Sequence, residues 1–441
     1  MTDPGPAPPE PAPAPGSPTA AVGPSSGRLA DRVPALLVPA YRRFLGGVFV
    51  ANVGSWMQST AQGWLVLQLT NSPGLLGLTS AVGTFPILFL SLLAGVLADR
   101  VDRRRLLVAT SVASALVAGL LALLVLSGLV AFWHVLVLVL MAGVAQALST
   151  PASQALVSSL VGREAIGNAV ALSAAQFNLS RIIGPALAGV AIAAGGIAVA
   201  IGAGFVAYVV LAVVLATLPM VQPAAMVRAE AGLWANLMDG IRYARRDESV
   251  ALLVLLAAVP ALFVLNYLVL LPVYARDILG IGAPGLGVLT AGIGVGALGG
   301  ALLVAVLRPS GGSGRLVLLG LAGASVALIV FALSRFVPLS VLALALLGAC
   351  QVTYYTTTNT LIQVMVPARL RGRVLSLYIL TSWGFMPLGN LIAGAVAEQL
   401  GATVALVGGG LLTLAIVGIV AVARPSLRHL HPGAVARARS G

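Results

Sequence analysis

Residues 76–105 read LGLTSAVGTFPILFLSLLAGVLADRVDRRR, an uncharged apolar run that ends in a loop of acids and arginines. The apolar part, 76–98, has no charged residue, and at about 1.5 Å per helical residue it can cross a hydrocarbon core of roughly 30 Å. It lacks the period-two alternation of a barrel strand, and open sheet edges cannot be hydrogen-bonded in lipid. The stretch therefore predicts a transmembrane helix followed by a charged loop.

Apolar stretches of this length recur and predict an all-α integral membrane fold with twelve spans in two pseudo-symmetric six-helix halves. The N-terminal half, 41–218, has spans at about 44–70, 76–98, 105–127, 132–155, 167–192 and 196–218. The C-terminal half, 249–422, has them at about 249–275, 285–307, 315–333, 337–362, 373–397 and 401–422. We expect a disordered Pro/Ala-rich cytoplasmic tail over 1–40, a cytoplasmic linker over 219–248 and a cytoplasmic tail over 423–441.

The composition excludes a soluble enzyme. Of the 441 residues, 59% are hydrophobic and 8% are charged, whereas about a quarter of a soluble protein is charged. The net charge is +13, and 22 of the 25 basic residues, all arginines, fall on one side of the predicted membrane. Only Arg276 and Arg335 lie on the other side, and Arg181 lies within a span. This pattern predicts a multi-pass membrane protein with both termini cytoplasmic and no nucleic-acid partner. The absence of Lys beside abundant Ala, Arg and Gly suggests a GC-rich bacterial genome, and so a protein of the bacterial cytoplasmic (inner) membrane.

Short matches at constant offsets support an internal repeat. The stretch from Ser72 to Leu75 matches the stretch from Ala283 to Leu286 at an offset of 211. At an offset of 205, three glycines match three others: Gly167, Gly184 and Gly189 with Gly372, Gly389 and Gly394. Parallel halves related by an axis along the membrane normal are a known transporter architecture, with the substrate site between the halves near the midplane.

The loop after the second predicted span could act as a conformational latch. In it, Asp99 could accept hydrogen bonds from a helix N-terminus and pair with Arg103 or Arg104. The alternative is a solvated loop that only carries positive-inside charge. The candidate latch residues are Gly95, Asp99, Arg100, Asp102, Arg103 and Arg104.

This loop resembles the signature G-x-x-x-D-R-x-G-R-R/K of the major facilitator superfamily, with Asp102 where Gly is usual. The departure resembles the twelve-span exporter branch that holds enterobactin-type siderophore exporters and macrolide and tetracycline efflux pumps. Gly184, Pro185 and Gly189 in the fifth span resemble the Gly-Pro motif of the superfamily's antiporters. A proline kink without further function is the alternative there. The resemblance implies the major facilitator fold and alternating access around a central cavity.

The charged residues in the spans restrict the substrate. No carboxylate falls at mid-membrane, whereas pumps for organic cations commonly use one. Arg181 lies about 21 Å along its helix when counted from Gly167, and burying it costs at least about 2.5–3.5 kcal/mol. We predict a neutral, anionic or zwitterionic substrate with Arg181 as the anion contact. A structural arginine bonded to carbonyls of neighbouring helices is the alternative.

Other polar residues at span depth are candidates for the cavity wall, because in the superfamily the first, fourth, seventh and tenth helices line it. For any one of them, hydrogen bonding between helices is the alternative. The predicted substrate-cavity residues are Gln58, Gln62, Gln146, Asn178, Arg181, Asn266, Gln351, Tyr354, Tyr355 and Asn359.

Together these features predict a monomeric secondary transporter that exports a small organic molecule, drug-like or siderophore-like, in exchange for protons. Its partners are that substrate and the lipid bilayer, and we expect no catalytic residue, no cofactor and no metal. The titratable candidates for coupling are Asp99, Asp277, Glu398 and His134, none of them central.

Two other classes remain as alternatives. A membrane receptor or secretion accessory that transports nothing would have the same hydropathy. An integral-membrane transferase would need paired carboxylates or a histidine cluster, and the sequence pairs only Asp247 and Glu248. One cysteine, Cys350, and three histidines cannot form a zinc cluster.

Overall fold

The computed structural model describes residues 33–219, 233–307 and 313–425, and within these ranges all regular secondary structure is helical. The first group comprises α1 (Pro39–Thr70), α2 (Pro73–Arg100), α3 (Arg103–Leu126), α4 (Phe132–Leu160), α5 (Ile166–Gly195) and α6 (Ile197–Thr217). Short 3₁₀ turns, Pro34–Leu37 and Arg163–Ala165, precede α1 and α5. The helix α7 (Leu233–Arg246) then leads into the second group.

The second group begins with a segmented span made of α8 (Glu248–Leu256), α9 (Ala258–Phe263), α10 (Tyr267–Val273) and a π-helix (Tyr274–Ile278). It continues with α11 (Gly282–Leu307), α12 (Ser313–Leu333), α13 (Val337–Met365), α14 (Ala368–Gly384), α15 (Met386–Leu400) and α16 (Ala402–Ala423). The pair α14 and α15 together forms one span, Ala368–Leu400.

Eleven helices or helix series in the described ranges are long and apolar enough to cross a membrane. The helix α1 is not among them, although its 32 residues are sufficient in length. It is more polar than the others because it carries Asn52, Gln58, Gln62 and Gln68. The all-helical membrane fold is confirmed, and α1 packs along α5 and α6, which is consistent with the twelve predicted spans.

Two predicted spans are interrupted rather than continuous. Between α9 and α10 the backbone N–H groups of Val264 and Leu265 both donate to the Pro260 carbonyl, at 3.0 and 2.7 Å. The Asn266 side chain donates to the Leu262 carbonyl at 2.6 Å, which satisfies an acceptor that the break leaves free. Proline removes a backbone donor and disturbs the helix on its N-terminal side, so Pro260 accounts for the break at Ala257, where the freed Leu256 carbonyl accepts from the Tyr354 hydroxyl, and Pro387 accounts for the break at Phe385.

The predicted disordered tail, 1–40, extends too far. Pro34–Leu37 is a 3₁₀ turn in which Ala35 is fully buried, and the Ala35 N–H donates to Asn168 Oδ1 at 3.2 Å. Tyr41 then donates its hydroxyl to the Ala169 carbonyl at 2.7 Å. The apolar sequence from Pro34 onward packs against the start of α5 and is ordered for that reason, while residues 1–32 lie outside the described ranges.

The two helix groups meet along two interfaces, α5 with α11 and α2 with α15. The internal repeat of the sequence makes these two interfaces equivalent. A Cβ on Gly189 would lie 3.0 Å from the Pro284 Cα, and a Cβ on Gly394 would lie 3.0 Å from the Pro73 carbonyl oxygen. Gly189 and Gly394 are 205 residues apart, and Pro73 and Pro284 are 211 apart, the two offsets found in the sequence. The glycines therefore permit the same close helix contact twice.

Candidate functional site

A cavity of about 470 Å³ lies between the two halves. Its wall is formed mainly by α1, α2, α4, α10 and the start of α15. Among the described residues that line it, none is an Asp, Glu, Arg or His. The polar groups of the wall are amides and hydroxyls: Asn52, Ser55, Gln58, Ser59, Thr60, Gln62, Thr79, Ser80, Thr84, Ser114, Gln146, Tyr208, Thr290 and Asn390.

Three of the predicted cavity residues line this wall. Gln58 is 5% exposed, and its Oε1 has no hydrogen-bond partner among the described residues. The Nε2 of Gln62 also lacks a hydrogen-bond partner among them. Gln146 Nε2 donates to Thr150 Oγ1 at 3.3 Å. A buried amide atom without a partner costs about 1–3 kcal/mol, so Gln58 and Gln62 offer hydrogen bonds that a bound molecule can complete.

Most of the other predicted cavity residues are engaged elsewhere. Asn178 donates to the Ala174 carbonyl at 2.9 Å, and Asn266 bonds within the span break described above. Asn359 accepts from Gln363 on the same helix. These three side chains lie outside the cavity wall.

The polar run on α13 lies mostly in helix packing. Tyr354 is 1% exposed, donates its hydroxyl to the Leu256 carbonyl at 3.0 Å and belongs to an apolar core cluster. Gln351 is buried, and its Nε2 has no partner among the described residues. Neither lines the cavity, because the run 351–359 covers more than two helical turns and so points to several neighbouring helices.

Sequence reasoning missed Asn390. Its side chain is fully buried at the cavity wall, and neither of its amide atoms has a partner among the described residues. The offset of 205 could have drawn attention to it, since it stands where the first half has Pro185. The aromatic part of the wall was also missed, with Trp56 and Phe177 in an edge contact at 6.2 Å between ring centroids.

Arg181 stands beside this aromatic pair. Its guanidinium carbon lies 6.0 Å from the centroid of the Trp56 ring, and no carboxylate of the described residues pairs with it. Tyr267 and Tyr355, from the second half, are close enough to interact with the guanidinium charge. The predicted alternative is an arginine bonded to carbonyls of neighbouring helices. Among the described contacts, Arg181 makes no hydrogen bond to a backbone carbonyl.

The antiporter-like residues serve helix contacts. A Cβ on Gly184 would lie 2.8 Å from the Val53 carbonyl of α1, and Gly189 lies against the start of α11. In the second half, a Cβ on Gly389 would lie 2.8 Å from Asn266 Oδ1. Gly184 and Gly389 are equivalent in the repeat, so α5 on α1 and α15 on the α9–α10 break are equivalent contacts.

The end of the bundle that carries Asn71, Gly196, Gly280, Ser334 and Gly401, here called the arginine-poor end, is closed by contacts between halves. Glu398 Oε2 accepts a hydrogen bond from Ser72 Oγ at 2.8 Å and from the Gly74 N–H at 3.0 Å. The carboxylate of one half therefore caps the N-terminus of α2 in the other, where the helix dipole favours a negative charge.

A second contact at the arginine-poor end joins α1 to the π-helix. Arg276 donates to the Leu67 carbonyl at 3.1 Å and also to Asn71 Oδ1. Its guanidinium is held in place by an ion pair with Asp277. Asn71 is the left-handed C-cap of α1, with φ of 53°, so the contact fastens the end of that helix.

At the opposite, arginine-rich end, the candidate latch contacts its own half. Asp102 caps α3 by accepting from the Arg105 N–H at 2.8 Å. Arg103 donates to Ser159 Oγ at 2.8 Å, and Arg104 donates to the Leu215 carbonyl at 2.8 Å and to the Ala216 carbonyl. The side chains of Gly95, Asp99 and Arg100 lie outside the described part of the structure, so the pairing of Asp99 stays a prediction.

The C-terminal half has ion pairs of its own at this end. Asp239 on α7 pairs with Arg373 on α14 and with Arg242, and Glu248 on α8 pairs with Arg424 after α16. The pair between Asp239 and Arg373 fastens the α7 helix to the second half. Among the described residues no group of three His, Cys, Asp or Glu side chains could hold a metal ion.

Comparison with known proteins covers almost the whole chain. A family model described as transmembrane secretion effector matches residues 36–436. The multidrug efflux pump Tap of Mycobacterium tuberculosis is 30% identical over 437 residues, which cover 91% of this chain and 96% of that protein. The enterobactin exporter EntS of Shigella boydii is 29% identical over 368 residues, covering 82% of this chain and 86% of that one.

Solved structures share the arrangement of helices. The nucleoside transporter NupG superposes with a TM-score of 0.69 at 13% sequence identity, covering 88% of this chain and 98% of that one. At this identity the similarity concerns the fold alone.

Proposed function

Because the chain belongs to the transmembrane secretion effector family of the major facilitator superfamily, we propose that it uses inward proton movement to export a small organic molecule. As a member of that superfamily it is a multi-pass membrane transporter of the efflux type and not an enzyme.

The observation that carries the proposal is the cavity of about 470 Å³ between the halves, closed at the arginine-poor end by Glu398 and Arg276. The positive-inside rule assigns the arginine-rich end to the cytoplasm. The protein then lies in the bacterial inner membrane with both termini cytoplasmic and its cavity closed toward the outside. It works as a monomer and has no nucleic-acid partner.

The substrate is a drug-like or siderophore-like molecule that is neutral, anionic or zwitterionic. A cavity wall of amides, hydroxyls and aromatic rings supports this, because no acid is present to balance an organic cation. The relatives support it by analogy: Tap is a multidrug efflux pump, and EntS exports enterobactin.

Proton coupling must act outside the cavity wall. His134 uses Nδ1 to accept from the Ala131 N–H at 3.0 Å, and Asp277 is paired with Arg276. Of the candidates with described side chains, Glu398 alone contacts the opposite half through its own carboxylate. This contact between the halves makes Glu398 the residue that best fits a coupling role at the outer end.

The test is accumulation of labelled compounds in cells with and without the protein, followed by addition of a protonophore. We expect lower accumulation with the protein and loss of the difference when the proton gradient collapses. Equal accumulation would favour a receptor or secretion accessory, and export that survives the protonophore would exclude proton coupling. Preferred export of a permanent dication would contradict the substrate class.

A further inference from the structure

Arg181 is a positive charge at span depth for which the described structure provides no negative partner. The described ion pairs all lie at the ends of the bundle and do not include it. The Arg181 side chain is partly exposed, and although it is not among the residues that line the cavity, the Trp56 ring beside it is. A charge kept at this depth is costly, and intramembrane ionisable residues commonly mark the path of a substrate or ion.

An aromatic pair of the first half stands beside the guanidinium. Trp56 presents its ring at 6.0 Å, and Phe177 packs edge-on against that ring. Phe177 and Arg181 are four residues apart on α5 and so share one face of the helix. Trp56 and Phe177 are part of the cavity wall, so a ring bound in the cavity can reach both.

The second half contributes hydroxyl groups. Tyr267 is fully buried, and its hydroxyl stands next to the Arg181 guanidinium with no other hydrogen-bond partner among the described residues. Tyr355 stands on α13, close enough to Arg181 to interact with its charge. The site therefore combines a forked cationic donor, two phenol donors and two aromatic rings, drawn from four helices.

We propose that this group of side chains recognises the acidic group of an aromatic carboxylate. Arginine binds carboxylates through two parallel hydrogen bonds, and such charge-assisted bonds are about twice as strong as neutral ones. The aromatic rings of Trp56 and Phe177 would stack against the ring of the ligand. The inference rests on the proposed export function and adds the substrate class to it.

The geometry also disfavours the two other classes of ligand. An organic cation would meet Arg181 as a like charge with no acid nearby to compensate. A neutral aromatic compound would gain the stacking contacts but leave the guanidinium without a counter-charge. The acidic group therefore determines the affinity, and the ring determines the position.

The test measures binding of three compounds with the same ring to the full chain in lipid nanodiscs by titration calorimetry. The compounds are 1-naphthoate, 1-naphthamide and 1-naphthylmethylammonium. We expect 1-naphthoate to bind at least about tenfold more tightly than 1-naphthamide, and the ammonium compound to bind most weakly. Arg181→Gln is expected to bring 1-naphthoate to the affinity of 1-naphthamide, while the affinity of 1-naphthamide changes less than about twofold.

Further variants distinguish the site from general effects. Arg181→Lys retains the charge without the fork and is expected to keep part of the preference. Tyr355→Phe is expected to weaken 1-naphthoate alone, and it provides the test if the Arg181 variants do not fold. Arg335→Gln removes an exposed arginine at the arginine-poor end and should leave the preference intact.

Equal binding of 1-naphthoate and 1-naphthamide, no binding of 1-naphthoate at millimolar concentration, a preference that survives in Arg181→Gln, or an undiminished preference in Tyr355→Phe would overturn the inference. These results are separate from the export assay. Export of other compounds together with no 1-naphthoate preference rejects the substrate class alone, and 1-naphthoate binding without export rejects the transport function alone.

Discussion

The two ends of the bundle use polar contacts differently. At the arginine-poor end, Glu398 and Arg276 bond across the boundary between the halves. At the arginine-rich end, the described contacts of Arg103, Arg104 and Arg373 stay within one half. One end is therefore fastened between halves, while the other has side chains that stiffen each half separately.

This difference indicates which contacts change during transport. Alternating access requires the closed end to open, so its interhalf contacts must be weak enough to break. Contacts within a half can be permanent, because each half moves as a body. Variants at the arginine-poor end should therefore change export or labelling of the cavity, and variants at the arginine-rich end should change stability.

The largest effect is expected from Gly394→Val, which prevents the two halves from closing at the arginine-poor end. A side chain there would meet the Gly77 Cα at 2.9 Å and the Pro73 carbonyl at 3.0 Å, and such overpacking costs about 1–3 kcal/mol. Export should fall at least about tenfold, as measured by accumulation in cells. The control is Gly299→Val, where a Cβ meets nothing within 4 Å, and equal export by both variants would contradict the prediction.

A smaller effect is expected from Glu398→Gln, which weakens one contact between the halves and leaves the rest of the arginine-poor end intact. Loss of a charged helix cap is worth about 0.5–2 kcal/mol, which corresponds to opening of the arginine-poor end about two- to thirtyfold more often. The measurement is labelling of Thr79→Cys at the cavity wall, in a Cys350→Ala background, by an impermeant maleimide added outside. Glu164→Gln, an exposed acid at the other end, is the matched control and should label at the parental rate.

The smallest effect on labelling is expected from Arg104→Gln. It removes two bonds to the end of α6 and leaves the arginine-poor end untouched. We expect unchanged maleimide labelling and a loss of about 1 kcal/mol in stability, seen as a lower melting temperature in detergent. Faster labelling would show that contacts at the arginine-rich end also control closure, which would contradict the assignment of closure to the arginine-poor end.

The membrane fold could be predicted because apolar length and arginine placement are local properties of the chain. The glycine offsets also predicted which residues are equivalent, and Gly184 with Gly389 and Gly189 with Gly394 do make equivalent contacts. The contact of Glu398 with Gly74 could not be predicted. Its partners are 324 residues apart, and no periodicity fixes how one half docks on the other.

The cavity wall was only partly predictable for a related reason. Helical spacing shows that Gln351 and Tyr355 share a face, but it does not show which neighbour that face meets. Tyr354 therefore lies in a core cluster, while Asn390, an isolated amide after a glycine, lies at the wall. The break at Asn266 is stabilised by a side-chain hydrogen bond to the backbone, which hydropathy does not register.

The exposure of Glu398 has a consequence for the setting in which the transporter works. Its carboxylate closes the arginine-poor end while remaining exposed. Exposed charges are screened over about 8 Å at physiological ionic strength and over about 3 Å at 1 M salt. The balance between closed and open forms therefore depends on the salt concentration at that end, and a rise in salt there favours opening with no ligand bound.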